Sequence, residues 1–159
     1  MYNFCPNCGF KNSLDKDNFT CTNCNKDFYT NSKPTAAVIP YFGDEILVAI
    51  RAHEPEKGKL DFIGGFLEYD EEPVGGALRE FKEETGVELK DKDLEYLGVW
   101  VAKQSYKEQK YTTFNVNYLT EFKEKITPEA FDDVEELVWI KVGGNNDFAF
   151  DYAFEIMKT

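Results

Sequence analysis

The 159-residue chain reads as an α/β protein built on a mixed sheet, with a small cysteine-bearing module ahead of it. Three observations predict this. Apolar runs rich in β-branched residues recur between Thr35 and Val142. A helix-length segment, 73–85, interrupts them. All four cysteines fall at or before position 24. Such a length suffices for one main domain with its own core plus an appendage, expected at 35–159 and 1–30.

Hydrophobic residues make up 42% of the chain and no window is low in complexity, so a folded protein is expected rather than a disordered one. No apolar run approaches the roughly 20 residues that span a bilayer. The opening MYNFCPNCGF has neither a basic n-region nor an apolar h-region, so a secretory signal is not expected and the chain reads as cytoplasmic. With 18 Lys and Arg against 30 Asp and Glu, the net charge is −12. Such a surface repels nucleic acid and anionic membranes, and a phosphate-bearing ligand would need cations to mediate its approach.

The cysteines form two pairs, Cys5-x-x-Cys8 and Cys21-x-x-Cys24. Without an export signal, disulfides fit poorly. Two knuckles at this separation suit tetrahedral Zn–S₄ coordination, with Gly9 easing the first turn. The intervening KNSLDKDNFT is too polar for a core, so metal would organise the segment. Four thiolates leave no open position, which makes the zinc structural. The module resembles a zinc ribbon of two hairpins, followed by a linker over Asn25–Lys33 and then Pro34.

TAAVIPYF (35–42) and EILVAIRA (45–52) flank Gly43-Asp44 and predict a β-hairpin. HEPEKGKL reads as a loop that holds His53, the only histidine, with no required role. After Gly86, EYLGVWVAK (95–103) and KYTTFNVNYLTEF (110–122) read as long strands; in the second, Thr113, Asn115 and Asn117 alternate with Phe114, Val116 and Tyr118. LVWIKV (137–142) predicts a short last strand. DFAFDYAFEIMK (147–158) predicts an amphipathic helix with Phe150, Ala153, Phe154 and Met157 on one face.

The segment GGFLEYDEEPVGGALREFKEETG, Gly64 to Gly86, carries the chemistry. Pro73 suits a first helical position, Asp70, Glu71 and Glu72 complement the dipole, and Gly86 suits a stop. Leu78 and Phe81 would face the core. Glu80, Glu83 and Glu84 then share one face. Three clustered carboxylates repel one another, and a divalent cation reverses that sign; oxygen ligands suit Mg²⁺ or Mn²⁺. Arg79 can orient a carboxylate through its planar fork. Gly75 and Gly76 each cost roughly 1 kcal/mol against alanine, which close approach to a neighbouring element would repay.

This segment resembles the Nudix box, G-x₅-E-x₇-R-E-U-x-E-E-x-G-U with U apolar, at Gly65, Glu71, Arg79, Glu80, Phe81, Glu83, Glu84, Gly86 and Val87. The resemblance runs from about Thr35 to the C-terminus. It implies a loop–helix–loop on an α/β/α sandwich and hydrolysis of a nucleoside diphosphate linked to another moiety. It also implies metal ligands at Glu80, Glu83 and Glu84, with Glu71 in support and Arg79 holding the glutamates. A further acid is implied in DDVEELVW, at Asp133, with Glu135 and Glu136 as substitutes. Arg51 is a candidate phosphate contact, Gly65 a candidate substrate contact, and a homodimer is the expected assembly.

A cysteine ribbon ahead of such a domain is similar to the zinc-containing NADH pyrophosphatase group. That group's SQPWPFP-like signature has no counterpart in YLGVWVAKQSYKEQK beyond Gln104-Ser105, and Ile63 stands where a proline commonly precedes the two glycines. The expected substrates are therefore ADP-sugars or dinucleotides such as ADP-ribose or NAD(H). The rival readings are a nucleotide sensor whose ribbon binds a protein, and removal of a nucleotide cap from RNA.

Overall fold

A computed structural model describes residues 3–11, 18–107 and 109–158. The chain divides into two compact units, Met1–Ser32 and Lys33–Thr159.

The first unit holds a short antiparallel hairpin, β1 (Asn18–Thr20) and β2 (Asp27–Tyr29), whose Phe19 and Phe28 rings stack at 5.0 Å. Of the segment KNSLDKDNFT (11–20) between the cysteine pairs, residues 12–17 lie outside the described residues. The expected linker over 25–33 is only partly one. Asp27–Tyr29 pair with β1, because their alternating polar and aromatic residues complete a hairpin on the second knuckle.

The second unit is a seven-stranded mixed sheet with a helix on each face: β3 (Lys33–Phe42), β4 (Glu45–Arg51), β5 (Leu60–Asp61), β6 (Ile63–Phe66), β7 (Glu95–Tyr106), β8 (Gln109–Glu121) and β9 (Val134–Lys141). β3 lies parallel to β8, which forms a long hairpin with β7. β3 and β4 pair only at Tyr41↔Ile46 and Phe42↔Glu45. Past that point they part, and β6 takes over the edge of β3 from Thr35 to Val38. β9 runs antiparallel along β4. The splay between β4 and β6 opens the cleft described below.

Helix α1 (Pro73–Thr85) spans the predicted residues. Pro73 starts it and left-handed Gly86 stops it, with the Gly86 N–H donating to the Lys82 carbonyl. One correction concerns its buried side. Ala77 and Phe81 are fully buried against Ala36, Val38 and Ile63, while Leu78 is not among the residues packed there. Ala77 and Phe81, four residues apart, share the face turned to the sheet, and Leu78 is rotated to its flank. Gly76 belongs to the same approach, since a methyl group there would overlap Leu67 and come within 2.9 Å of Glu71 Oε2. Gly75 has open space around it and no such reason.

The opposite face is covered by α2 (Asp151–Ile156), shorter than the helix predicted over 147–158. Phe148 is drawn into bridging Leu60 instead, where its ring packs 5.4 Å from Phe62. Tyr152, Ala153 and Ile156 are the buried residues, and Phe154 is 39% exposed rather than core. β8 turns Thr113, Asn115 and Asn117 inward and leaves Phe114 exposed. Among the described residues no helix is long and apolar enough to cross a membrane.

Candidate active site and metal centres

In the first unit the four thiols converge, all sulfurs lying within 4.8 Å of one another. Cys5 Sγ is 3.7 Å from Cys24 Sγ, and Cys8 Sγ is 3.7 Å from Cys21 Sγ. Four sulfurs about 2.3 Å from a tetrahedral centre would be about 3.8 Å apart, so the spacing fits zinc. The Phe10 backbone N–H and the Asn23 amide lower the Cys8 thiol to about 6, and the Cys24 N–H lowers Cys21. Donors aimed at sulfur favour thiolate, the form a metal requires.

In the second unit, α1 projects Glu80, Glu83 and Glu84 into a cleft of about 420 Å³, within the range of ligand sites. Arg79, Gly65, Arg51 and Asp133 line the same cleft, so most of the predicted site residues meet there. Glu135 and Glu136 do not line it; both are exposed on β9. His53 does line it, with Nε2 3.7 Å from Asp133 Oδ1.

Arg79 organises the acids. Its Nε and Nη2 each donate to Glu71 at 2.8 Å, a two-point grip. Its Nη1 donates to Glu80 Oε1 and Glu83 Oε2, both at 2.9 Å, and Nη2 reaches the Phe66 carbonyl at 3.2 Å. Glu71 Oε2 also accepts the Glu68 N–H at 2.9 Å. These bonds hold the Glu71 carboxyl down at about 2. Glu71 thus adds stability above its ordinary value near 4.5, which is lost as pH falls towards 2.

Glu84 is the opposite case. It is 7% exposed, and its Oε2 accepts the Gly64 N–H at 2.9 Å. Burial first, then the charge of Glu80, raises its carboxyl to about 9. Burial also raises Glu80. Two carboxylates that resist ionisation, Glu84 buried and Glu80 half-buried, in an all-oxygen set, fit a divalent cation, whose charge would repay their desolvation. Among the described residues only the cysteines bring three or more ligand atoms together, while one Arg79 nitrogen bridges Glu80 and Glu83.

Gly65 is close-fitting: a Cβ there would lie 2.6 Å from the Glu80 carboxyl. Two acids that the box pattern does not mark also belong to the site. Asp132 lines the cleft beside Asp133. Asp61 accepts from Arg51 Nη1 at 2.6 Å, while Arg51 Nε donates to the Pro55 carbonyl at 2.8 Å. A signal for Asp61 existed, because it is the only charge in LDFIGGFL, just before the glycines.

The fold and the box helix together define a class: the chain belongs to the Nudix family, matching the NUDIX domain over residues 31–152. It is 29% identical over 143 residues to the NAD-capped RNA hydrolase NudC of Pseudomonas aeruginosa, covering 87% of this chain and 48% of that protein. It is 34% identical over 101 residues to the protein of the same name from Haemophilus influenzae, covering 61% and 38%. The chain thus spans about half, or less, of the length of these curated relatives. Among solved structures, a NUDIX hydrolase from Nitrosomonas europaea shares the fold at a TM-score of 0.63 and 24% identity, covering 99% of this chain and 89% of that one. The bifunctional NMN adenylyltransferase/ADP ribose pyrophosphatase of Francisella tularensis, complexed with AMP and manganese, aligns at 0.64 and 22% identity, over 80% and 40%.

Proposed function

We propose that the chain is a Mg²⁺- or Mn²⁺-dependent pyrophosphohydrolase that cleaves the diphosphate bond of an ADP-sugar or dinucleotide. The observation that carries this reading is the single cleft holding Glu80, Glu83, Glu84 and the uncommitted face of Arg51. Glu80, Glu83 and Glu84 would hold the cation, with Asp133 as a further acid. When bound, the ion neutralises the diphosphate and acidifies a water for attack on phosphorus. Arg79 keeps the glutamates in register and, committed to three carboxylates, is not free to bind substrate. Arg51, steadied by Asp61, offers its guanidinium to a phosphate oxygen. A cleft carboxylate accepts the proton of the attacking water.

The test is a panel of ADP-ribose, NADH, diadenosine polyphosphates, nucleoside triphosphates and nucleotide sugars, assayed with each cation. Hydrolysis of a dinucleotide or ADP-sugar, abolished by EDTA, is expected. Tight binding with no turnover in either cation would favour the sensor reading. The relatives' names support a second reading, NAD-capped RNA as substrate; a capped oligonucleotide cleaved faster than free NAD would establish it, against the repulsion expected from a net charge of −12.

In the ribbon, assigned to residues 1–30 ahead of a hydrolase domain at 35–159, Cys5, Cys8, Cys21 and Cys24 would hold a structural zinc. Elemental analysis should find about one zinc per chain. Cys5→Ser or Cys21→Ser should speed proteolysis within 1–30 and largely spare the chain beyond Thr35. Zinc-free protein, purified without chelator, would overturn the assignment.

A further inference from the structure

The seven-stranded sheet ends at β7, which has β8 on one side and, among the described residues, no strand on the other. Alternate residues of such an edge turn their N–H and C=O groups outward, a template for another strand. Proteins blunt exposed edges by brevity, proline or bulges. β7 runs for 12 residues without a proline. Its register shifts once, between Tyr96 and Gly98, and from Gly98 to Tyr106 it pairs residue for residue with β8. The side chains beside this edge are apolar. Helix α1 lies over β3 and β6 and leaves the far side of its own face open. Tyr96, Val99 and Val101 stand there, opposite Tyr118, Val116 and Phe114 of β8. Tyr96 is 61% and Val101 62% exposed, and Lys103 continues the file.

Charge decides what can cover this edge. At a net charge of −12, two copies of the chain repel each other unless a local surface opposes the trend. The β7–β8 hairpin is such a surface, because it is charged in opposite senses at its two ends. Residues 88–95, at its base, carry four acids against two lysines; residues 103–110, around its tip, carry three lysines against one acid. Asp91 and Glu95 at the base, and Lys103, Lys107 and Lys110 near the tip, are all exposed. Two such edges side by side in the same direction set like charge on like. Laid antiparallel, they set tip on base at both ends. The surface is therefore complementary to a second copy of itself.

We infer that β7 is the contact between two copies of this chain, its edge paired antiparallel with the same edge of the second copy about a two-fold axis at Trp100. In that register Val99 lies opposite Val101 of the second copy, and Val101 opposite its Val99. One step further out, past the extra residue at the register shift, Tyr96 lies opposite Lys103 of the second copy. The file Tyr96, Val99, Val101, Lys103 thus meets its own reverse, aliphatic on aliphatic and cation on aromatic ring. The contact is isologous and uses both free edges, so assembly closes at two chains and the two sheets become one. None of these four residues lines the acidic cleft, so the inference stands apart from the proposed hydrolysis. It gives the expected homodimer a surface and a register.

Sedimentation of the full chain across a concentration series tests this. A monomer–dimer equilibrium is expected, and it should weaken as salt screens the two end contacts. Val101→Lys changes an exposed side chain, so the far-UV circular dichroism should not move, while the dimer Kd should rise by about tenfold or more. Two doubly reversed variants read the register. Lys103→Glu with Lys107→Glu makes the tip acidic, and Asp91→Lys with Glu95→Lys makes the base basic. Each variant alone sets like charges together and should be monomeric where the parent is dimeric. Mixed one to one, they should recover a dimer, because every tip then meets a base of opposite sign. Hydrogen exchange supplies a second readout: β7 amides should gain protection as the parent's concentration rises. A parent that stays monomeric throughout the series overturns the inference. So does a dimer that survives Val101→Lys and both reversals unchanged, since its contact then lies elsewhere. Reversed variants that fail to recombine on mixing overturn the antiparallel register.

Discussion

Glu84→Gln should cut kcat by on the order of 10²-fold or more and yet make the protein more stable in buffer without added divalent cation. The two effects share one cause. Glu84 is buried, and its carboxyl is raised from an ordinary 4.5 to about 9. Across that window the folded chain holds a proton that the unfolded chain has released. Stability therefore falls as pH rises. Glutamine has nothing to release and can still accept the Gly64 N–H. The variant's advantage should be small at pH 5 and reach roughly 1–3 kcal/mol by pH 8. Added Mg²⁺ should raise the melting temperature of the parent more than that of the variant. Melting curves from pH 5 to 9, with and without Mg²⁺, read all of this. A variant less stable than the parent at pH 8 without cation would mean that Glu84 is not a desolvated acid.

Gly64→Ala should be among the most damaging single methyl additions to this chain. Gly64 sits in β6 with φ of +154°, where L side chains are strained, and its Cβ would overlap the Ala36 carbonyl oxygen and lie 2.5 Å from Ala37 Cα. Both obstacles are backbone of the neighbouring strand, so neither can rotate away. Relief would require β6 to leave β3, which would uncover Ile63 and withdraw the Gly64 N–H from Glu84. A loss of about 3 kcal/mol or more is expected in urea unfolding. Gly75→Ala makes the opposite control. It adds the same methyl to the exposed start of α1, with nothing within 4 Å, and should stabilise by about 1 kcal/mol. Equal effects of the two substitutions would show that strand crowding, rather than glycine content, has been misjudged.

The elements legible from sequence were those with a local cause. Pro73 and Gly86 bracket α1, Gly43-Asp44 turns the first hairpin, and two short-spaced cysteine pairs converge. What stayed illegible depended on distant partners. Ala77 rather than Leu78 joins Phe81 in the core because residues four apart share a helix face, and the phase of that face is set by where the sheet lies. The C-terminal aromatics fit a helical stripe, but Phe148 gains more by pairing with Leu60 and packing on Phe62. The polar file of β8 could have been assigned to solvent by its composition; it points inward because its members bond one another and the Trp100 carbonyl. The box residues were visible as a pattern along one helix. That Arg79 ties Glu71, Glu80 and Glu83 together, while Gly64 donates to Glu84, depends on the fold of the loop before the helix.

The grip of Arg79 on three acids also constrains how this chain can change over generations. Replacing Arg79 leaves Glu71 without its main partner and lets Glu80 and Glu83 repel each other, so the first substitution carries the combined loss of all three contacts. Once it is gone, a later change at Glu71 should cost much less than it would have cost first. Drift through such a cluster is therefore order-dependent. Intermediates with one member missing are the least fit, and the four residues should be inherited or abandoned together.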